Sequence, residues 1–133
     1  MTDRFAAQIA DWTSKAEARQ TEVLHQAVRL LVEEVTRPEN AGGHMPVLTG
    51  NLRNSVAVST TGPVTYSFKT KKFRDPSDAV NNAIAGIEVG KVAYVGFRAP
   101  YAHKREADHA FARLAAQRWP QLAVEATKRS GGR

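Results

Sequence analysis

The chain has 133 residues, of which 42% are hydrophobic and 24% charged, a net charge of +6 and no cysteine. That length suits one domain burying about two thirds of its unfolded surface, and the composition is ordinary for a globular chain. Disulfides and cysteine-ligated zinc are excluded, and no apolar run reaches the roughly 18 residues that a membrane span needs.

The start, Met1-Thr2-Asp3-Arg4-Phe5, is polar where a signal peptide would carry its apolar core, so a cytosolic product is expected. Residues 3 to 36 read as helix. Phe5, Ile9, Trp12, Ala16, Val23, Ala27, Leu31 and Val35 fall near one stripe, which Leu24, Val28 and Leu30 widen. Asp3 can cap the start. Ser14 and Glu17 have capping-box spacing, and the stripe turns polar at Arg19 and Gln20, so one helix or two would fit. Unbroken, the segment would reach about 50 Å at 1.5 Å per residue. A domain of this size cannot cover that length, which predicts that part of the helix rests on another subunit. Pro38, Gly42, Gly43 and Pro46 end the helix and predict a flexible loop over 37–48, ordered against a partner.

Alternation follows. Leu52, Val56 and Val58 share one parity, with Arg53, Ser55, Ala57 and Ser59 on the other. Beyond Thr61-Gly62-Pro63, Val64, Tyr66 and Phe68 alternate with Thr65, Ser67 and Lys69, which predicts a hairpin. A basic stretch then forms a second flexible loop over 69–75. Asp75-Pro76-Ser77-Asp78 starts a short helix ending near Ile87, and Val89-Gly90-Lys91-Val92 permits a tight turn. Val92 to Phe97 is a strand with apolar residues on both parities, hence central or covered on both sides. After the corner Ala99-Pro100-Tyr101-Ala102, the residues Phe111, Leu114, Ala115, Trp119 (or Arg118), Leu122 and Ala126 mark a long helix from about His103 to Lys128. Pro120 predicts a kink or restart near Trp119. The tail, 130–133, is expected to be disordered. The expected fold is α+β in one domain over 1–129: a long N-terminal helix, an antiparallel sheet of about three to four strands, a short helix and a long C-terminal helix.

Catalytic patterns are missing: there is no Gly-x-Ser-x-Gly, no P-loop and no Gly-x-Gly-x-x-Gly, so no enzyme activity is expected. The best metal candidate, His103-Lys104-Arg105-Glu106-Ala107-Asp108-His109, places its two histidines about 120° apart on a helix. Lys104 and Arg105 would also repel a cation, so no metal or cofactor is assigned. His25 reads as a boundary residue beside the apolar stripe, and Trp12 and Trp119 as core or interface anchors.

The positive charge clusters in Lys69, Lys71, Lys72 and Arg74 and in 98–133, where eight Lys/Arg face three Asp/Glu. Such a field suits a polyanion, an acidic protein surface or simply solvent. No helix-turn-helix or zinc finger accompanies it, and Phe73 is a lone aromatic among the lysines. DNA, if contacted, would be held through phosphates without sequence preference.

One stretch is distinctive. Pro46-Val47-Leu48-Thr49-Gly50-Asn51-Leu52-Arg53-Asn54-Ser55 resembles the P-V-x-T-G-x-L-R-x-S signature of the tail-completion, or head–tail neck, family of long-tailed bacteriophages, which also occurs in gene transfer agents. Val95-Gly96-Phe97-Arg98-Ala99-Pro100-Tyr101-Ala102 followed by Glu106 is similar to the family's strand, aromatic-Ala corner and Glu. The stretch from Phe111 to Pro120 is similar to its final helix. The likeness runs from about residue 5 to 128, but here Glu106 runs straight into the helix, without the insertion many relatives carry. The resemblance implies a structural virion protein, assembled in the host cytoplasm, that forms a hexameric ring around the DNA channel. It also implies partners: the head-side connector or adaptor and the tail terminator or tube, with no membrane. It marks Thr49, Gly50, Leu52, Arg53, Ser55, Tyr101, Ala102 and Glu106 as signature or interface residues. Gly50 would give a sharp turn that Thr49 fixes, and Leu52 would enter the core. Arg53 would point the other way, toward a carboxylate on a neighbour or within its own subunit.

Overall fold

The computed structural model describes residues 2–45 and 50–129. Helix α1 (Thr2–Thr36) is continuous over 35 residues, which settles the choice left open at Ser14 and Arg19. The reason is compositional: no Gly or Pro occurs between Thr2 and Thr36, and Ala, Glu, Arg, Gln and Leu favour the helix. The polar gap at Arg19 and Gln20 instead marks where the helix leaves the body. From Ala6 to Gln20 every residue is exposed except the half-buried Ala16. Beyond it Ala27, Val28, Leu30 and Val35 are buried.

The chain from Arg37 to Met45, expected to be flexible, is knotted onto the end of α1. A 3-10 turn (Glu39–Ala41) closes at Gly42, whose φ of 87° is left-handed. Pro38 bridges Met45, and amides of Glu39 and Met45 donate to the carbonyls of Met45 and Arg37 at 3.1 Å each. Met45 is fully buried, so this segment is held by its own subunit. The remainder of the expected loop, 46–48, lies outside the described residues, as do Thr49 and the tail 130–133.

Gly50 has a φ of 78° and turns the chain into the single helical turn α2 (Asn51–Asn54). Leu52 is buried and Arg53 exposed, as their parity predicts, but on a helical turn and not a strand. Strand β1 (Val56–Ser59) pairs antiparallel with β2 (Tyr94–Phe97), in the register Val56 opposite Phe97 through Ser59 opposite Tyr94. The sheet has two strands, not three or four. Val64 to Phe68 does not form the second arm of a hairpin. The Ser59 hydroxyl accepts the amides of Thr61 and Gly62 at 3.3 and 3.4 Å, and this bend carries the segment over the sheet instead of beside β1. There Val64 lies against Gly96, where a Cβ would approach its side chain to 3.0 Å. The amide of Ser67 donates to the Arg98 carbonyl at 2.7 Å. Val64 covers one face of β2. Phe97 meets Phe111 edge-to-face on the other, at 5.1 Å between ring centroids.

Helix α3 (Ser77–Ala85) begins where expected, its first amide bonded to Asp75 Oδ1 at 2.9 Å. Val80 and Ile84 of this helix enter the core. The expected turn at 89–92 is present, with Gly90 at a φ of 87°.

The long C-terminal helix is three helices: α4 (Ala102–His109), α5 (Phe111–Gln117) and α6 (Trp119–Arg129). Pro120 stands in the first turn of α6, where its missing N–H costs no helical bond, so the restart near Trp119 is as anticipated. The break at Ala110 is not legible in a run without Gly or Pro. Ala110 takes a φ of 51° and a ψ of 32°, the left-handed region. Glu106 compensates by reaching across the break: its carboxylate accepts the amides of Ala112 and Arg113 at 2.8 and 3.0 Å and caps α5. The break turns Phe111 inward, to 2% exposure. The main core joins α1, Met45, the sheet, α3 and Phe111, while Ala27, Leu30, Leu122 and Ala126 form a second cluster between α1 and α6.

A left-handed alanine costs about 1–2 kcal/mol, and glycine returns about half of the relief through unfolded-state entropy. Ala110→Gly should therefore stabilise the fold by about 0.5–1 kcal/mol, raising Tm by about 2–4 °C in thermal unfolding. A lower Tm for this variant would mean that α4 and α5 are one helix.

Candidate functional site

The signature residues gather at the junction between the end of α1, α2 and the corner before α4. Arg53 Nε donates to the carbonyl of Thr36 at 2.9 Å, satisfying an acceptor that the end of α1 leaves open. Ser55 is 1% exposed, and its hydroxyl donates to the Leu52 carbonyl at 2.7 Å. Ala102 is buried, whereas Tyr101 remains 42% exposed. The residue that ties the group together is Asn51, which sequence reading passed over as a variable position in the signature. Its Oδ1 accepts the Phe73 amide at 2.7 Å, and its Nδ2 donates to the Tyr101 hydroxyl at 2.9 Å and the Lys71 carbonyl at 3.3 Å. Nothing in the local pattern separates this asparagine from an ordinary turn residue, because its partners lie 20 to 50 positions away. Glu106 does not join the group, being spent on the cap of α5.

Asn51 thus holds the root of the basic loop. Phe73, counted as an aromatic among the lysines, is buried to 8% exposure and anchors the loop from below. Lys69, Lys71, Lys72 and Arg74 are exposed, and Lys72 and Arg74 share a groove of about 380 Å³ with Arg98. Beside them Tyr66 and Phe68, read as strand residues, stand in solvent at 44% and 81% exposure. Their rings meet edge-to-face with centroids 6.3 Å apart. The loop is therefore a fixed cationic surface with aromatic groups at its margin, and only its alternating Val64–Phe68 pattern hinted at the second component. The bordering acid, Asp75, is turned onto Ser77, whose side-chain and backbone bonds hold its carboxyl below the usual carboxylate range.

A cavity of about 470 Å³ is an open groove walled by α1, α2 and α3. Arg29, Glu33, Arg53, Asp75 and Asn81 line it alongside Val32, Val80 and Ile84. The Ser77–Asp75 contact in its wall is a helix cap, and no histidine reaches it. The histidines serve elsewhere. His25 Nε2 donates to the Ile87 carbonyl at 2.7 Å, fastening α1 to the end of α3. His109 Nδ1 lies 3.0 Å from Glu39 Oε1, joining α4 to the knotted segment. Among the described residues no three His, Cys, Asp or Glu side chains are grouped to hold a metal ion, and no helix is long and apolar enough to cross a membrane.

A further polar cluster locks the end of α1 to the C-terminal helices. Glu34 accepts Arg37 Nη2 at 2.6 Å and Arg118 Nη1 at 2.7 Å. Burial pushes the Glu34 carboxyl up, but hydrogen bonds from Arg118 and Arg37, with their charges, outweigh this and hold it below its ordinary 4.5. Comparison with protein families, curated proteins and solved structures finds no match.

Two outcomes are expected. Asn51→Ala should cost about 1–3 kcal/mol, the range for hydrogen bonds whose partners are left unsatisfied. Hydrogen exchange should then quicken at the Phe73 amide while the buried half of α1 keeps its protection. Because the folded pKa of Glu34 is depressed, its contribution is full above 4.5 and is lost as pH falls through the lower folded value. Glu34→Gln should therefore flatten the decline of stability below about pH 4.5 in denaturant titrations; an unchanged acid limb would place the titrating group elsewhere.

Proposed function

We propose that the chain is a non-catalytic virion protein of the head–tail junction, assembled in the host cytoplasm. In this reading its subunits close into a hexameric ring around the DNA channel. The ring completes the tail and joins the head-side connector to the tail terminator or tube. The observation that carries the assembly role is the bare first half of α1, where Trp12 is 73% and Ile9 49% exposed on a stripe that its own subunit leaves uncovered. A monomer gains nothing by holding a tryptophan in water, whereas an assembling subunit needs such a surface. The tail-completion signature at 46–55 supports the location. Arg53, marked by that signature, serves the join between α1 and α2 within the subunit, leaving the exposed first half of α1 (the arm, Ala6 to Gln20) and the basic loop as the outward surfaces.

A second reading, a small basic module binding nucleic acid without sequence preference, draws on Tyr66 and Phe68 beside the exposed cations. Base stacking on such groups is worth about 1–3 kcal/mol per base. The ring reading uses the same surface on the wall of the channel or against an acidic partner ring.

Reversing Lys69, Lys71, Lys72 and Arg74 to Glu should weaken head–tail joining by at least tenfold in particle yield, with the melting curve retained because all four side chains are exposed. Native mass spectrometry of the wild-type chain should show closed rings. A persistent monomer whose binding to duplex DNA falls steeply with salt would favour the second reading.

A further inference from the structure

Among the described residues two apolar surfaces stand open to solvent. The first is the stripe of the arm, Ile9 and Trp12 with the half-buried Ala16 beyond. A helix of this length without tertiary contacts is marginal in water, so the arm gains order as well as burial from a partner. The second is a groove of about 270 Å³ at the foot of that exposed half, walled by Leu24, Val28 and Leu31 of α1, Val95 of β2 with Ala93 just before it, and Trp119 of α6. Trp119 is 36% exposed there, and Val89 and Val92 on the neighbouring turn are 48% and 65% exposed.

The two surfaces cannot meet within one molecule. Trp12 and Leu24 lie on one continuous helix, about 18 Å apart along its axis at 1.5 Å per residue. No Gly or Pro between them offers a hinge. We propose that the arm of one copy lays Ile9 and Trp12 into the Leu24–Val95–Trp119 groove of the next, head to tail. Lys91 also lines the groove, and in the contact proposed it would take over Asp11, the acid next to Trp12, which in the free subunit pairs with Lys15 at 3.1 Å. The exposed part of the arm is about 22 Å long and about 10 Å wide, a small footprint beside the roughly 800 Å² per partner of a standard interface, so a copy that both gives an arm and receives one gains twice what a single contact supplies. A donor and an acceptor surface at different places make a head-to-tail contact, which closes into a ring where the rotation between copies permits. The inference rests on the ring reading and names the contact that builds it.

The absence of cysteine permits a direct test. Asp11→Cys and Lys91→Cys leave Trp12 in place and alter exposed positions. Mixing the two single variants under mild oxidation should give the mixed disulfide-linked dimer, and the double variant a ladder ending at the ring. Trp12→Ala should weaken assembly by about 30-fold or more per contact, as expected for a buried aromatic anchor, without moving the melting curve of the body. Efficient self-linking of Asp11→Cys alone, showing arm against arm, would overturn the groove assignment. So would rings of undiminished stability in Trp12→Ala, and both results leave the ring reading standing. A wild-type chain that stays monomeric at high concentration overturns both, as does an arm that binds vesicles of anionic lipid in place of a second copy.

Discussion

The end of α1 must be satisfied before anything else in this protein can pack. The last turn of a helix leaves carbonyls without partners, and here that turn lies inside the body, with Thr36 at 7% exposure. The Thr36 hydroxyl donates to the carbonyl of Val32, Arg53 donates to the Thr36 carbonyl from α2, and Met45 returns its amide to the Arg37 carbonyl just beyond, while Arg118 ties the junction of α5 and α6 to the Glu34 carboxylate. Each of the bonds from other segments also positions the element that provides it. The helix therefore does more than present an apolar face, because its terminus sets where the sheet, the knotted segment and the C-terminal helices attach.

That arrangement explains why the signature residues turn inward. Arg53 had two plausible destinations, and the geometry of the α1 terminus claims its Nε for the subunit itself. Glu106 is consumed in the same manner by the break at Ala110. Ser55 closes α2 and Asn51 fixes the root of the basic loop. What they share is that each bonds a group within its own subunit. The rigidity of α1 carries one outward surface and the Asn51–Phe73 bond the other.

Periodicity made the long first helix, the capped start of α3, the restart at Trp119 and the burial of Leu52 legible, because each depends on residues within a turn or two of each other. Leu52 is instructive: its inward side was foreseen from strand parity, yet it faces inward from a helical turn, since Gly50 changes the chain direction just before it. What stayed hidden depends on partners distant in the chain. Val64 to Phe68 has the alternation of a strand, but Ser59 bends the preceding turn and Gly96 offers a seat on the face of the sheet. The break at Ala110 is set by Glu106 and by the room for Phe111, neither of which marks alanine as a breaker. In the same way Phe73 reads only as a lone aromatic among lysines, and its burial follows from Asn51, on α2, which binds its backbone amide.

The exposed residues then divide into those that solvent explains and those it does not. Apart from Arg118 and Arg129, which pair with Glu34 and Glu125, the lysines and arginines on 98–129 are long charged side chains that rest comfortably in water. Trp12 and Phe68 differ, at 73% and 81% exposure, because each gives up the burial that aromatic side chains gain most from. They sit on the arm and beside the basic loop, the two parts whose polar groups are not spent on the α1 terminus. An internal bond satisfies a group once, and a residue so used has little left for a neighbour. By that reasoning the exposed half of α1 and the basic loop are the parts left free to meet another molecule, while Asn51, Arg53 and Ser55 hold the body from which both project.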